Sequence, residues 1–148
     1  MKGHILKLNS KRKNISYKQK YKFSKIKNNL DIAGLAAYAA SEKKGENILL
    51  LDVSKLTIVG DYFLIVTARS SVQVDAIANH VEETLLKADY KLLSKEGLTF
   101  SSWVILDFGN LVIHVMGNKE RDYYKLEQFW GNAEIINKKI WENREKAS

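Results

Sequence analysis

Three histidines, His4, His80 and His114, are the side chains of this sequence best suited to bind a metal ion or to move a proton. No two of them have the i, i+4 spacing or the H-E-x-x-H pattern that brings two imidazoles to one metal. The sequence also contains no cysteine. Glu83 follows His80 by three residues, which is the spacing of an ordinary ion pair on a helix surface. The sequence therefore predicts no metal site, and no other motif indicates a cofactor.

Serine residues offer no catalytic arrangement either. Ser70 and Ser71 stand where they can cap a helix, and they lack the G-x-S-x-G pattern of a nucleophilic serine. Residues 68–71 contain no glycine, so they do not resemble a phosphate-binding loop, although Arg69 at a helix start can bind an anion.

Asp61 and Asp107 adjoin strand-like stretches, which raises the possibility of a two-metal site. Such a site needs two acids one residue apart on a strand, together with a third acid. Residues 52–54 and 107–109 each lack the second acid. The sequence therefore predicts a protein without catalytic residues, which is not an enzyme.

Large amphipathic side chains are concentrated between positions 103 and 130. Tryptophan, tyrosine and arginine dominate the hot spots of protein interfaces. In the alternative interpretation the two tryptophans belong to the core and only the tyrosine hydroxyls reach the surface. The set predicts a partner-binding surface formed by Trp103, Asp107, His114, Arg121, Tyr123, Tyr124, Glu127 and Trp130.

The elements that must position these residues follow from apolar periodicity. A stripe at helical spacing predicts a helix over 71–88, and Gly109-Asn110 predicts a two-residue hairpin turn. In the strand before that turn, Val104 and Leu106 face one way, and Trp103 and Ile105 face the other. Further helices are predicted at 31–44 and 133–146, short helical turns at 119–130, and strands at 47–53, 61–68, 90–93, 102–108 and 111–116.

This order of elements predicts an α+β (α/β) fold, with a mixed five-stranded sheet flanked by helices. One domain over residues 29–148 accounts for all of these elements, including the C-terminal helix from about 133. No apolar stretch approaches the roughly 20 residues of a membrane span. Residues 1–10 do not resemble a secretory signal.

The positive charge of the chain is concentrated at its start. The chain has 24 basic and 17 acidic residues, and ten of the basic residues lie within residues 1–30, where there is no acid. The remainder is therefore slightly acidic. Residues 1–28 are predicted to be a disordered extension, which can also lie on RNA phosphates. An organelle transit peptide is a third interpretation, but such peptides are usually rich in arginine, and this segment has one arginine among nine lysines.

Several motifs in one order carry a family resemblance. They are Asp61-Tyr62-Phe63, the stretch from Thr67 to Val74, Glu96-Gly97, the stretch from Trp103 to Gly109, His114-Val115, and the stretch from Arg121 to Gly131. Together they are similar to the motifs of ribosomal silencing factors of the RsfS/Iojap family, over about residues 31–133. The sequence departs from the family pattern at Ala68-Arg69, where a glycine is common, and at Met116, where an aromatic residue is common.

The resemblance implies a nucleotidyltransferase-like sheet without catalytic acids. It also implies binding to the universal protein number fourteen of the large ribosomal subunit, which blocks subunit joining and represses translation. Organellar relatives imply large-subunit assembly as an alternative role, and free members of the family imply a homodimer. A cytoplasmic location is expected, or the plastid stroma if the tail is a transit peptide.

Carried over by position, the resemblance makes Trp103 an apolar anchor. Asp107 and Glu127 would pair with basic ribosomal groups, and Arg121 and the tyrosine hydroxyls would give polar contacts. Two rival classes stay open. One is a nucleotidyl- or phosphoryl-transfer enzyme on the same fold, and the other is an RNA-binding adaptor that works through the tail.

Overall fold

The computed structural model describes residues 28–97 and 102–142. In these ranges the helices are α1 (Asn29–Glu42), α2 (Ser71–Lys87), α3 (Asn118–Tyr124) and α4 (Leu126–Phe129), and a 3-10 helix covers Lys138–Ile140. The strands are β1 (Glu46–Asp52), β2 (Tyr62–Ala68), β3 (Ser94–Gly97), β4 (Trp103–Asp107), β5 (Leu111–Gly117) and β6 (Glu134–Ile135). No helix within the described ranges is long and apolar enough to cross a membrane.

The strands form one mixed sheet in the order β3-β4-β5-β2-β1-β6. The central pair, β2 and β5, is parallel, and the other neighbouring pairs are antiparallel. Tyr62 lies opposite Leu111 and Ala68 opposite Gly117, so β2 and β5 begin and end together. The predicted α+β class with a mixed sheet is confirmed.

Helices α1 and α2 cover one face of the sheet. Asn28 caps α1 by accepting the Asp31 N–H at 3.0 Å, and Ser70 caps α2 by accepting the Gln73 N–H at 3.1 Å. The alanines of α1 at positions 33, 36, 37, 39 and 40 are fully buried. Their small side chains let α1 lie close to both the sheet and α2, which carries the predicted apolar stripe.

The opposite face of the sheet is covered less completely. Its buried centre is formed by Leu51, Val53, Phe63, Ile65, Val112 and Met116. Helices α3 and α4, which have seven and four residues, lie on this face. Because these helices are short, Trp103, Ile105 and Trp130 pack against the buried centre and remain only partly buried.

The hairpin between β4 and β5 forms as predicted. Gly109 has a φ of +89°, a conformation that favours glycine, and the Phe108 N–H donates to the Leu111 carbonyl at 2.9 Å. Val104 and Leu106 face the helix-covered core, whereas Trp103 and Ile105 face the less covered side. The alternation predicted for this strand is therefore confirmed.

The sheet has six strands and not the five predicted, because the segment predicted as a C-terminal helix supplies the sixth. Glu134–Ile135 pairs with β1, and the Ile136 N–H donates to the Leu50 carbonyl at 2.9 Å. Trp141 is buried against the helix-covered core after a single 3-10 turn. The helix predicted from 133 is thus wrong over residues 133–142, since the open edge of β1 offers hydrogen bonds that the apolar spacing did not reveal. Residues 143–146 lie outside the described residues.

The strand predicted at 90–93 lies further along the chain, at Ser94–Gly97. Asp89 has a φ of +69°, and the Tyr90 N–H donates back to the Leu85 carbonyl at 2.9 Å. The Tyr90 N–H therefore closes the C-terminal end of α2, which itself ends at Lys87. Residues 95–97, predicted as a turn, pair with β4 instead.

Candidate protein-binding site

Seven aromatic rings form a continuous series on the less covered face of the sheet. Neighbouring rings have centroids 4.7 to 6.1 Å apart. We call this series the aromatic row. It runs in the order Tyr123, Tyr124, Trp103, His114, Phe63, Trp130 and Phe129.

Different elements of the fold contribute these rings. Phe63 comes from β2, Trp103 from β4 and His114 from β5, while the remaining four rings come from α3, α4 and the residue that follows α4. The ends of the row are exposed to solvent: Tyr123 is 79% exposed, Tyr124 50% and Phe129 77%. The row is thus anchored in the core at its centre and exposed to solvent at both ends.

A hydrogen bond fixes the centre of the aromatic row. The Trp103 Nε1–H donates to His114 Nδ1 at 3.1 Å. Because Nδ1 accepts, the neutral imidazole carries its proton on Nε2. Burial lowers the pKa of His114 from its usual 6.5 to about 4. His114 is therefore uncharged at neutral pH and serves the row as an acceptor and a flat packing surface.

This lowered pKa predicts a loss of stability in mild acid. Between pH 6.5 and pH 4 the unfolded chain binds a proton at position 114 that the folded chain does not. The contribution of His114 to the free energy of unfolding is therefore fully present above about pH 6.5 and is lost as the pH falls towards 4. The expected loss is about 3 kcal/mol over this window. Urea unfolding at several pH values should show a shallower dependence in His114→Gln, which retains an acceptor for the indole. Equal dependence in the two proteins would contradict the assignment.

Arg121 and Glu127 hold α3 and α4 against the sheet. Arg121 is 8% exposed, and its Nη1 donates to the Thr67 hydroxyl of β2 at 2.9 Å. Its Nε lies 3.3 Å from Glu127 Oε2, an ion-pair contact without hydrogen-bond geometry. The Arg121 guanidinium therefore faces the interior, with the partly exposed Glu127 beside it, and the structure gives Arg121 a bracing position beneath the aromatic row.

Asp107 lies at the hairpin turn, away from the ring contacts. Its Oδ1 accepts the Gly109 N–H at 2.8 Å. In β4 Asp107 lies four residues from Trp103, so the two are on the same face of the sheet but at opposite ends of the strand. Its contact supports the turn.

Two rings of the row were not among the predicted site residues. Phe63 is 8% exposed and links His114 to Trp130, and Phe129 extends the row into solvent. The alternation of β2 places Phe63 on the same face as Ile65. This signal was available from the sequence, whereas the exposure of Phe129 follows from its place in the short helix α4.

The residues considered for catalysis have ordinary contacts. His80 Nε2 lies 3.1 Å from Glu42 Oε1 and joins α2 to α1. Ser70 is the cap of α2, and Arg69 pairs with Glu46. Within residues 28–97 and 102–142, no group of three His, Cys, Asp or Glu side chains is arranged to hold a metal ion.

Taken together, these observations define an α+β domain with a row of aromatic side chains on one face of its sheet, exposed at both ends. A family model described as "Ribosomal silencing factor during starvation", RsfS, matches residues 26–148. The chain belongs to this family, which comprises ribosomal silencing factors and not enzymes.

Individual proteins support the assignment. The ribosomal silencing factor RsfS of Bacillus subtilis is 38% identical over 108 residues, which is 73% of this chain and 92% of that protein. The chloroplastic protein Iojap of Zea mays is 38% identical over 107 residues, which is 72% of this chain and 46% of that protein. A crystal structure of a Chromobacterium violaceum protein superposes with a TM-score of 0.68 at 39% identity, covering 71% of this chain and 88% of that one.

Proposed function

We propose that this chain silences ribosomes by binding the large subunit through its universal protein number fourteen and thereby blocking the joining of the small subunit. Membership of the silencing-factor family supports the ribosome as the target. The observation that carries the proposal is the aromatic row, whose exposed ends give a folded domain a ready contact surface.

Charge also suits such a partner. Outside its first 30 residues the chain has fourteen basic and seventeen acidic residues. A slightly acidic domain is complementary to a basic ribosomal protein, which favours fast association and correct orientation. Exclusion of the small subunit then requires no chemistry, because occupation of the joining face is sufficient.

Two measurements test the proposal. Purified ribosomal protein fourteen should retain the chain in a pull-down, and in a cell extract the chain should sediment with free large subunits and not with joined ribosomes. Sedimentation with joined ribosomes would contradict the blocking mechanism. Accumulation of immature large subunits on depletion, with normal subunit joining, would favour the assembly role instead.

We further propose that the free chain forms a homodimer through the aromatic row. The exposed rings at both ends of the row are apolar surface that a second copy could cover. Sedimentation equilibrium of the free chain measures its mass directly. A dimer that persists when protein fourteen is bound would show that the two surfaces are separate.

The basic segment 1–28 is expected to add an electrostatic contact with ribosomal RNA. Neutralising Lys11, Arg12 and Lys13 with glutamine should weaken association with the large subunit mainly at low salt. The plot of log affinity against log salt should become less steep by about 0.7 to 0.9 for each RNA phosphate that the variant no longer neutralises. A triple glutamine variant at Lys43, Lys91 and Lys139, which are exposed and lie in the folded domain, is the matched control. If deletion of residues 1–28 abolished association at every salt concentration, the RNA-adaptor function would replace the proposed one.

A further inference from the structure

An exposed apolar patch lies at one end of the sheet, where β1 ends and β2 begins. Ile58 is fully exposed, Leu93 is 71% exposed and Val59 is 69% exposed. A Cβ atom added at Gly60 would lie 3.2 Å from the Gly109 carbonyl oxygen, and one added at Gly109 would lie 3.3 Å from Leu93 Cδ1. Leu93 and the loop that carries Ile58 and Val59 therefore both adjoin the hairpin turn. We call the rim of the sheet at this end, formed by residues 52–61, 93 and 107–110, the turn edge.

The turn edge is also acidic. Asp52 lies opposite Tyr62 in β2 and opposite Glu134 in β6, and Asp61 directly precedes Tyr62. Burial, and after it the charges of these three acids, raises the pKa of Tyr62. Asp107 lies in the adjoining hairpin. Lys55 follows β1 at the same edge, so the acids outnumber the base. Apolar side chains next to several carboxylates suit a partner that alternates lysines with aromatic or aliphatic residues.

The chain itself supplies such a segment, and it enters the fold at this edge. Asn28 caps α1, and Asn29 Nδ2 donates to Asp61 Oδ2 at 3.3 Å. Residues 1–27 contain ten basic residues and no acid. Between positions 14 and 27 the lysines alternate with Ile15, Tyr17, Tyr21, Phe23 and Ile26.

We propose that residues 14–27 bind the turn edge of their own chain, with their apolar side chains against Ile58 and Val59 and their lysines beside Asp52 and Asp61. The covalent link favours this contact, because a segment attached at the edge has a high effective concentration there. The root-mean-square end-to-end distance of an ideal flexible chain of this many residues is about 20 Å, which is enough to span the edge. This contact does not involve the aromatic row, so it is tested separately from protein binding there. It competes with the ribosomal RNA contact proposed for the same basic segment.

A paramagnetic label tests the contact in the full chain. Because the sequence has no cysteine, Ser16→Cys carries a nitroxide at a single position. We expect the amide resonances of residues 56–61, 93 and 107–110 to broaden strongly at low salt and to recover in about 0.5 M salt. Resonances of residues 43–45, 69–71 and 118–119, at the opposite end of the strands, should stay sharp.

Two variants and one control separate the causes. Asp52→Asn with Asp61→Asn should reduce the broadening by at least half, and Ile58→Ser with Val59→Ser should do the same. Asp75→Asn with Asp122→Asn makes an equal change of charge at exposed positions elsewhere and should leave it unchanged. If the line broadening were unchanged both by salt and by the edge variants, the proposal would be overturned. Broadening seen only between labelled and unlabelled copies would also overturn it, because the occupant would then be a second molecule.

Discussion

Alanine at both Tyr123 and Tyr124 is expected to weaken binding to the large ribosomal subunit by about 30-fold to 1000-fold, which corresponds to about 2 to 4 kcal/mol. The two rings are 79% and 50% exposed, so the folded chain gains little from burying them. Tyr124 nevertheless has a fixed orientation, since its ring packs against Trp103 with centroids 4.7 Å apart. A partner that covers these rings gains apolar contact without first ordering them.

The same variant should leave the free energy of unfolding nearly unchanged. This result would separate the removal of a binding surface from damage to the fold. Val72→Ala is a suitable control, because this side chain is 78% exposed and lies outside both the aromatic row and the turn edge. Titration of the labelled chain with purified large subunits measures the affinity. Equal affinity of the tyrosine variant and the wild type would remove the aromatic row from the proposed function.

Leucine at Arg121 is expected to lower the free energy of unfolding by about 2 to 4 kcal/mol, because it leaves a buried hydroxyl and a carboxylate without their partner. The guanidinium contacts Thr67 in β2 and Glu127 in α4, which are 60 residues apart in sequence. Leucine keeps apolar volume at the position but satisfies neither group. Glu127 is partly exposed, and water then screens some of the loss.

Urea unfolding measures this loss, and Arg69→Leu provides the matched control. Arg69 pairs with Glu46, but its side chain is 78% exposed, so removing it should cost only about 0 to 1 kcal/mol. The double variant Arg121→Leu with Glu127→Leu should recover part of the lost stability, since no carboxylate is then left unpaired. A loss at Arg121 as small as that at Arg69 would show that Arg121 does not brace α3 and α4.

Local signals predicted much of the fold. The helical stripe of α2, the strand alternation around Trp103 and the glycine of the hairpin turn each depend on residues close together in sequence, and all three are confirmed. The prediction failed at residues 133–142, where the alternatives differ in a long-range contact. A helix and an edge strand are both compatible with the apolar spacing there, and the free edge of β1 favours the strand.

The candidate site likewise has features that the sequence predicted and features that only the tertiary structure decided. The types of residue, their concentration between 103 and 130, and the family motifs are properties of the sequence. They identified the family, and they predict a binding surface. The tertiary structure decided which side chains meet. It placed Phe63 between His114 and Trp130, turned Arg121 into the interior, and set Asp107 at the turn. The physical reason is that burial and ring contact depend on how the sheet brings β2, β4 and β5 side by side, and no local pattern records that register.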